Sequence, residues 1–268
     1  MELLKAEFSA KVADALEAGS IPWRLPCLPR NILTNHLFGG VNPILLNLAG
    51  HASPFWGSYI HWQTLGCKVG PSEGRWIVLY KPNSRSKMES YRPVREMVYN
   101  WEQTDRAYRR ATSPPTDPGE SLEMIVKNAG VCIEHGADAT CKYIIPEDKI
   151  RMPHKWMFEL GPAGVSGYYD AKSHELCHWS ERRVGWRADE DKNELRAEIG
   201  ACYLGAALGV QPIPQNKVRR HHDRFARRWA TLLRQDPDLL FRVCENVTLT
   251  VGYFLAFIGR EPQWQLNI

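Results

Sequence analysis

Near the start of the chain, Leu3, Leu4, Phe8, Val12, Ala15 and Leu16 recur at three- to four-residue intervals, with Gly19 just beyond. That spacing predicts a helix over 2–18 with a glycine stop. The next stretch carries Pro22, Pro26 and Pro29, which cannot donate backbone hydrogen bonds, so it is expected to run as an extended loop. Asn42-Pro43 can open a short helix. Residues 76–80 (WIVLY) and 97–101 (MVYNW) are short apolar runs rich in strand formers. Beyond residue 120 the period changes. A helix over 120–129 and a strand over 140–145 are expected first. Long helical patterns then follow over 168–180, 189–208, 216–235 and 237–257, with Gly209, Pro212 and Pro214 breaking the series.

The segment 109–120 (RRATSPPTDPGE) has no period and three prolines, so the domain boundary is placed there. The expected fold class is α+β: a small α+β domain over 1–115, then a mainly helical domain over 120–268. Charge separates the same two regions. Residues 1–119 hold 14 Lys and Arg against 10 Asp and Glu, whereas 120–268 hold 20 of each, so the whole excess of +4 lies in the first region. That is a mild sign of a polyanionic partner there. The longest mostly apolar run, 247–259, is about 13 residues, short of the roughly 20 that cross a bilayer, and the N-terminal pattern lacks the apolar core of a signal peptide. No membrane partner is expected. Seven cysteines with no C-x-x-C pair read as free thiols of a reducing cytoplasm.

The strongest chemical signal is His174-Glu175-Leu176-Cys177-His178. This H-E-x-x-H pattern is expected about 0.02 times by chance from the chain's own His and Glu frequencies. On a helix, side chains four apart share a face, so both imidazoles reach one divalent cation, Zn²⁺ or alternatively Mn²⁺. Glu175 points about 100° round the helix, where it can serve as general base toward water activated by the cation. A third ligand is supplied by Glu194 or Glu198, which share a face of the next predicted helix. One would ligate and the other would hold an imidazole by a hydrogen bond. The Asn193-Glu194-x-x-x-Glu198 pattern resembles the Glu-zincin arrangement, which implies Glu194 as the ligand and Glu198 as the supporting acid.

Further residues resemble an ArdC-type antirestriction protein over nearly the whole chain. Pro29, Asn31 and Thr34, then Phe38, Gly40, Asn42, Leu45 and Leu46, follow one family stretch. Trp62 to Val69 with Gly70, Glu73 and Gly74 follow a second, and Val98 to Thr104 a third. Asp148 to Pro153, Tyr168-Tyr169, His174 to Trp179 and Glu194 to Glu198 follow in the family's order. The connection between the two chemical motifs, SERRVGWRADEDK, is shorter than the family's. The resemblance implies an N-terminal domain that binds single-stranded DNA and a C-terminal zincin-like metallopeptidase domain. It further implies protection of incoming plasmid or phage DNA from host restriction. Two alternatives stand beside it: a non-enzymatic DNA-coating protein with a structural or vestigial metal site, and a cytoplasmic regulatory metalloprotease that cuts a transcription factor.

For the DNA, single-strand binders combine cations for phosphates with aromatic faces for bases. Within 68–95, Lys68, Arg75, Lys81, Arg85, Lys87, Arg92 and Arg95 interleave with Trp76, Tyr80 and Tyr91, against only Glu73 and Glu89. Trp76 and Tyr80 share one face of the predicted strand, while Ile77 and Leu79 share the other. Asn100 and Gln103 are candidates to hydrogen-bond a base or sugar. The basic run 217–234 is a candidate extension of that surface.

Overall fold

The computed structural model describes residues 2–82, 91–105, 118–137, 140–161, 163–210 and 215–265, with the side chains of 81–82, 91–92, 118 and 215–224 outside that description. Arg85, Lys87 and most of the proline-rich stretch 109–120 lie outside the described residues, as do the side chains of Lys81, Lys217, Arg219, Arg220 and Arg224. The chain forms two compact units, and the architecture is the expected α+β one.

The first unit comprises residues 28–114 and 262–268. It contains β1 (Arg30–Asn31), α2 (Asn42–Asn47), β2 (Phe55–Gly57), α3 (Tyr59–Thr64), β3 (Arg75–Pro82), β4 (Tyr91–Asn100) and a short 3-10 turn at Trp101–Gln103. The sheet order is β1-β2-β4-β3, with β1 and β2 parallel and the other pairs antiparallel. Ile77 and Leu79 point into the core with Phe38, Leu46, Trp56 and Val98. At Val78 on the outer edge of β3, one side chain answers both backbone groups. The Asn42 amide donates to Val78 O at 2.7 Å, and its carbonyl accepts from the Val78 N–H at 2.8 Å. Asn31 folds the loop after β1 by accepting from the Leu33 and Thr34 N–H groups, an Asx turn. Near the far end of the chain, the Leu37 N–H donates to Gln263 O at 2.8 Å.

The second unit comprises residues 2–27 and 115–261. Its elements are α1 (Glu2–Glu17), α4 (Pro118–Ala129), β5 (Cys132–Gly136), β6 (Lys142–Ile144), β7 (Lys149–Pro153), α5 (Lys155–Glu159), α6 (Gly164–Ser180), α7 (Glu190–Leu208), α8 (Gln215–Gln235) and α9 (Pro237–Ala256). The three strands run β5-β7-β6, with β6 antiparallel at an edge. Here the helix expected to open the first domain packs elsewhere. Leu4, Phe8, Val12 and Leu16 of α1 are buried, and α1 lies against α8 and α9. Leu3, expected on the same face, is 87% exposed because it sits one position off that stripe.

No strand is expected over β5 or β7, although β7 alternates, with Ile150 and Met152 buried and Lys149 and Arg151 partly exposed, whereas β6 falls inside the expected 140–145 strand. Helix α9 is long and apolar enough by length and composition to cross a membrane, a feature the count of consecutive apolar residues does not register. Yet 61% of that window is buried inside the protein, which is the signature of a core helix.

Candidate metal centre and nucleic-acid face

Helix α6 carries His174, Glu175 and His178, and α7 carries Glu194 and Glu198. The two helices come close because Gly200 faces Cys177: a Cβ on that glycine would lie 2.7 Å from the Cys177 sulfur. The Arg196 guanidinium, fully buried, then ties them. It donates to Cys177 O at 2.7 Å and Ser180 Oγ at 3.0 Å on α6, and to Thr250 Oγ1 at 2.7 Å and Asn246 Oδ1 at 2.6 Å on α9. Helix α7 starts with the Asp189 carboxylate accepting the Lys192 N–H and stops at Gly209, whose φ of 85° only glycine adopts without strain.

The imidazole Nε2 atoms of His174 and His178 lie 3.1 Å apart, and each is 3.4 Å from an oxygen of Glu194. A tetrahedral ion with bonds of about 2.0–2.2 Å separates its ligands by about 3.3–3.6 Å. The two imidazole–carboxylate distances match it, each to a different Glu194 oxygen, and one donor atom from each residue lies within 4.8 Å of the others, which brings the three side chains within reach of one cation. The Nδ1 atoms face outer carboxylates, one at hydrogen-bond distance and one slightly beyond it. His178 Nδ1 meets Glu181 at 2.8 Å, and His174 Nδ1 faces Glu198 at 3.7 Å. Glu198 therefore sits behind an imidazole, while Glu194 faces the point of convergence. Glu181 matches no spacing rule that the sequence reading applied, although its position three residues after His178 on the same helix face is a usable signal.

Electrostatics follow the same layout. Burial opposes charge on His174, but Glu194 and Glu198 outweigh it and push its pKa up to about 10. Burial also opposes charge on His178, which Glu181 and Glu194 nevertheless raise. Burial would lift Glu194, yet the two imidazoles hold its carboxyl well below the usual range. Glu175 is 7% exposed, and its Oε2 accepts the Tyr143 N–H of β6 at 2.6 Å. Cys177 is buried and its thiol is pushed up to about 12 by burial, so it acts as packing. A groove of about 760 Å³ runs over these groups, lined also by Cys141, Lys142, Tyr143, Phe225 and Trp229.

In the first unit, Trp76 is 43% exposed and Tyr80 half-buried on the face opposite Ile77 and Leu79. The register pairs Trp76 with Met97, Val78 with Arg95 and Tyr80 with Pro93, so Arg95 joins that face. Lys68 is exposed, and Arg75 stands 3.7 Å from Glu73. Asn100 and Gln103 do not join them. Asn100 is fully buried, donating to Ser53 O at 2.9 Å and accepting the Glu102 N–H. Gln103 accepts the Asn100 N–H at 2.7 Å and donates to Ser72 and Glu73. Both amides are engaged in capping a turn. In the basic run, Arg228 pairs with Asp191, and Arg234 pairs with Asp14 and Glu17, so these charges serve helix packing.

Two imidazoles and a carboxylate on paired helices, with an acid beside them under an edge strand, define a zincin-like domain. Residues 120–246 match the family described as zincin-like metallopeptidase, and residues 3–113 match the N-terminal domain of the anti-restriction factor ArdC. The chain belongs to the ArdC-type two-domain proteins. Its fold is similar to the crystal structure of the antirestriction protein ArdC from plasmid R388 in a metal-free form, with a TM-score of 0.75, 23% identity and 96% and 98% of the two chains covered. The Mn(II)-bound form of that protein gives 0.76, 24%, 95% and 97%. Two DNA primases TraC of Escherichia coli are 26% identical over 313 residues and 27% over 303, covering 99% and 94% of this chain. The chain spans only 28% and 20% of the length of those relatives.

Proposed function

We propose that this protein is an antirestriction factor of the cytoplasm. Its first unit binds single-stranded DNA, and its second unit holds a divalent cation on His174, His178 and Glu194 in a peptidase-type site. The division of labour follows the boundary near 115–120, with α1 assigned to the metal-holding unit. The observation that carries the metal reading is the orientation of the two imidazoles, each with Nε2 toward Glu194 and Nδ1 toward an outer carboxylate. A two-nitrogen, one-oxygen donor set suits Zn²⁺ and accommodates Mn²⁺, and a Mn(II)-bound structural neighbour supports the latter.

When bound, the cation supplies Lewis acidity toward a carbonyl and toward water. The chain's own residues do the rest. Glu198 and Glu181 keep the ring orientations fixed, the Tyr143 N–H holds one oxygen of Glu175, and the Glu175 carboxylate takes the proton. An extended peptide lying in the groove would meet β6 and the aromatic rings of Phe225 and Trp229. On the first unit, Trp76 and Tyr80 offer stacking faces, with Lys68, Arg75 and Arg95 as phosphate partners.

One experiment tests both halves: metal analysis of the purified protein, run with single-strand and duplex binding across salt. Uptake of one ion and a single-strand affinity that falls steeply with salt are expected, since phosphate contacts release counterions. A flat salt response removes the DNA half, and a metal-free protein that takes up no added Zn²⁺ or Mn²⁺ removes the metal half. Replacing Glu175 by Gln should abolish any proteolysis while metal stays bound. Proteolysis that survives it assigns the base elsewhere.

A further inference from the structure

Arg24 lies in the proline-broken segment that follows α1, inside the part of the chain matched by the ArdC N-terminal domain, yet its side chain is buried in the second unit. Trp23 beside it is fully buried, edge-on to Trp229 of α8 at 5.7 Å, and Leu25 is buried as well. From this anchor the guanidinium reaches Glu198 Oε1 at 3.3 Å, both side chains being 5% exposed. The other oxygen of Glu198 faces His174 Nδ1 at 3.7 Å. One carboxylate is thus shared between a cation from the start of the chain and an imidazole that faces the metal position.

The charge balance explains why a cation is needed there. Glu198 is buried near a second carboxyl, Asp170, one helical turn before His174, and a water-sized cavity of about 20 Å³ lined by Arg24, Asp170, Ser173 and Cys202 lies beside them. Burial and the Glu198 charge push the Asp170 pKa up to about 6, while Arg24 works against that rise. A Glu198 carboxylate released from Arg24 can turn away from His174 Nδ1 and leave the imidazole ring without that outer partner.

We propose that Arg24 is a positioning residue of the metal centre, holding the Glu198 carboxylate turned toward His174 Nδ1 so that His174 presents Nε2 to the cation. This rests on the metal-centre reading above. The test is Zn²⁺ affinity of the full-length chain by calorimetry, with the absorption spectrum of the Co²⁺-loaded protein as a reporter of ligand geometry. Arg24→Met should weaken Zn²⁺ binding about 10–100-fold and change the Co²⁺ bands. Arg24→Lys, which restores the charge without the planar fork, should recover part of the loss. Arg234→Ala, which cuts the exposed tie between α8 and α1, should leave both readouts unchanged.

If Arg24→Met fails to fold, the Arg24→Met, Glu198→Gln pair removes both buried charges and takes its place. Its affinity should then equal that of Glu198→Gln alone, because Arg24 acts only through that carboxylate. Additive losses, or a folded Arg24→Met protein with wild-type affinity and spectrum, overturn the proposal. A wild-type protein that takes up no Zn²⁺ fails one step earlier, on the metal centre itself.

Discussion

The two units hold their polar side chains in opposite ways. In the helical unit, each chemical group is at least partly buried and gripped by another: Glu194 by two imidazoles, His178 by Glu181, Glu198 by Arg24. In the first unit, the candidate DNA partners Lys68 and Arg95 are exposed on a sheet face or loop, and Trp76 presents nearly half its surface to solvent. Buried, mutually held groups behave as a block, so that removing one member disturbs all. A surface of exposed cations and rings adds up from weak, nearly independent contacts.

That contrast is best attacked first where the block should fail outright. Glu194→Ala removes the only carboxylate that faces both Nε2 atoms among the described residues, and calorimetry should show metal affinity lost by more than about a hundredfold, beyond the range of outer-partner changes. Retained affinity would mean that the block is not a metal site. On the open face, Trp76→Ala should weaken single-strand binding by about 1–3 kcal/mol while leaving the salt slope unchanged, because a stacking face releases no counterions. Fluorescence anisotropy at several salt concentrations reads both. A changed slope with unchanged affinity would reassign the face.

The smallest effect concerns pH in the metal-free protein. His174 has a folded pKa raised to about 10, above its unfolded value of about 6.5, so its contribution to stability is fully present below about 6.5 and is lost as pH rises toward 10. The melting temperature of metal-free protein should therefore drift down by a few degrees across that window, read by a thermal melt. Metal-loaded protein should not drift in this way, because a bound imidazole is neutral throughout. An identical drift in both forms would break the link between His174 and the cation.

How much of this was legible in the sequence depends on the distance over which a residue's role is set. His174, Glu175 and His178 follow from one helical turn, and Glu194 with Glu198 from the next helix, so spacing and resemblance together named the centre. Arg24 and Arg196 reach their partners across 174 residues and across 50 to Asn246, and no local period encodes that. The motifs of the first unit proved legible as order but not as role. Asn31 and Asn42 shape a turn and a sheet edge, and Asn100 and Gln103 cap another turn, because a short amide answers an unpaired backbone group as readily as a base. The exposed side of β3 was undecidable from alternation, since both its faces are apolar. Only packing against Phe38 and Trp56 chose Ile77 and Leu79 for the interior.

The crossing of the chain between its units has a consequence for synthesis. Helix α1 emerges from the ribosome early, but its partners α8 and α9 lie some 200 residues later, which at about 5–20 residues per second is a wait on the order of ten to forty seconds. During that interval the nascent chain displays the apolar stripe of Leu4, Phe8, Val12 and Leu16 with nothing to cover it. Burial of that stripe therefore waits on α8 and α9, and the second unit can close only once both have been made.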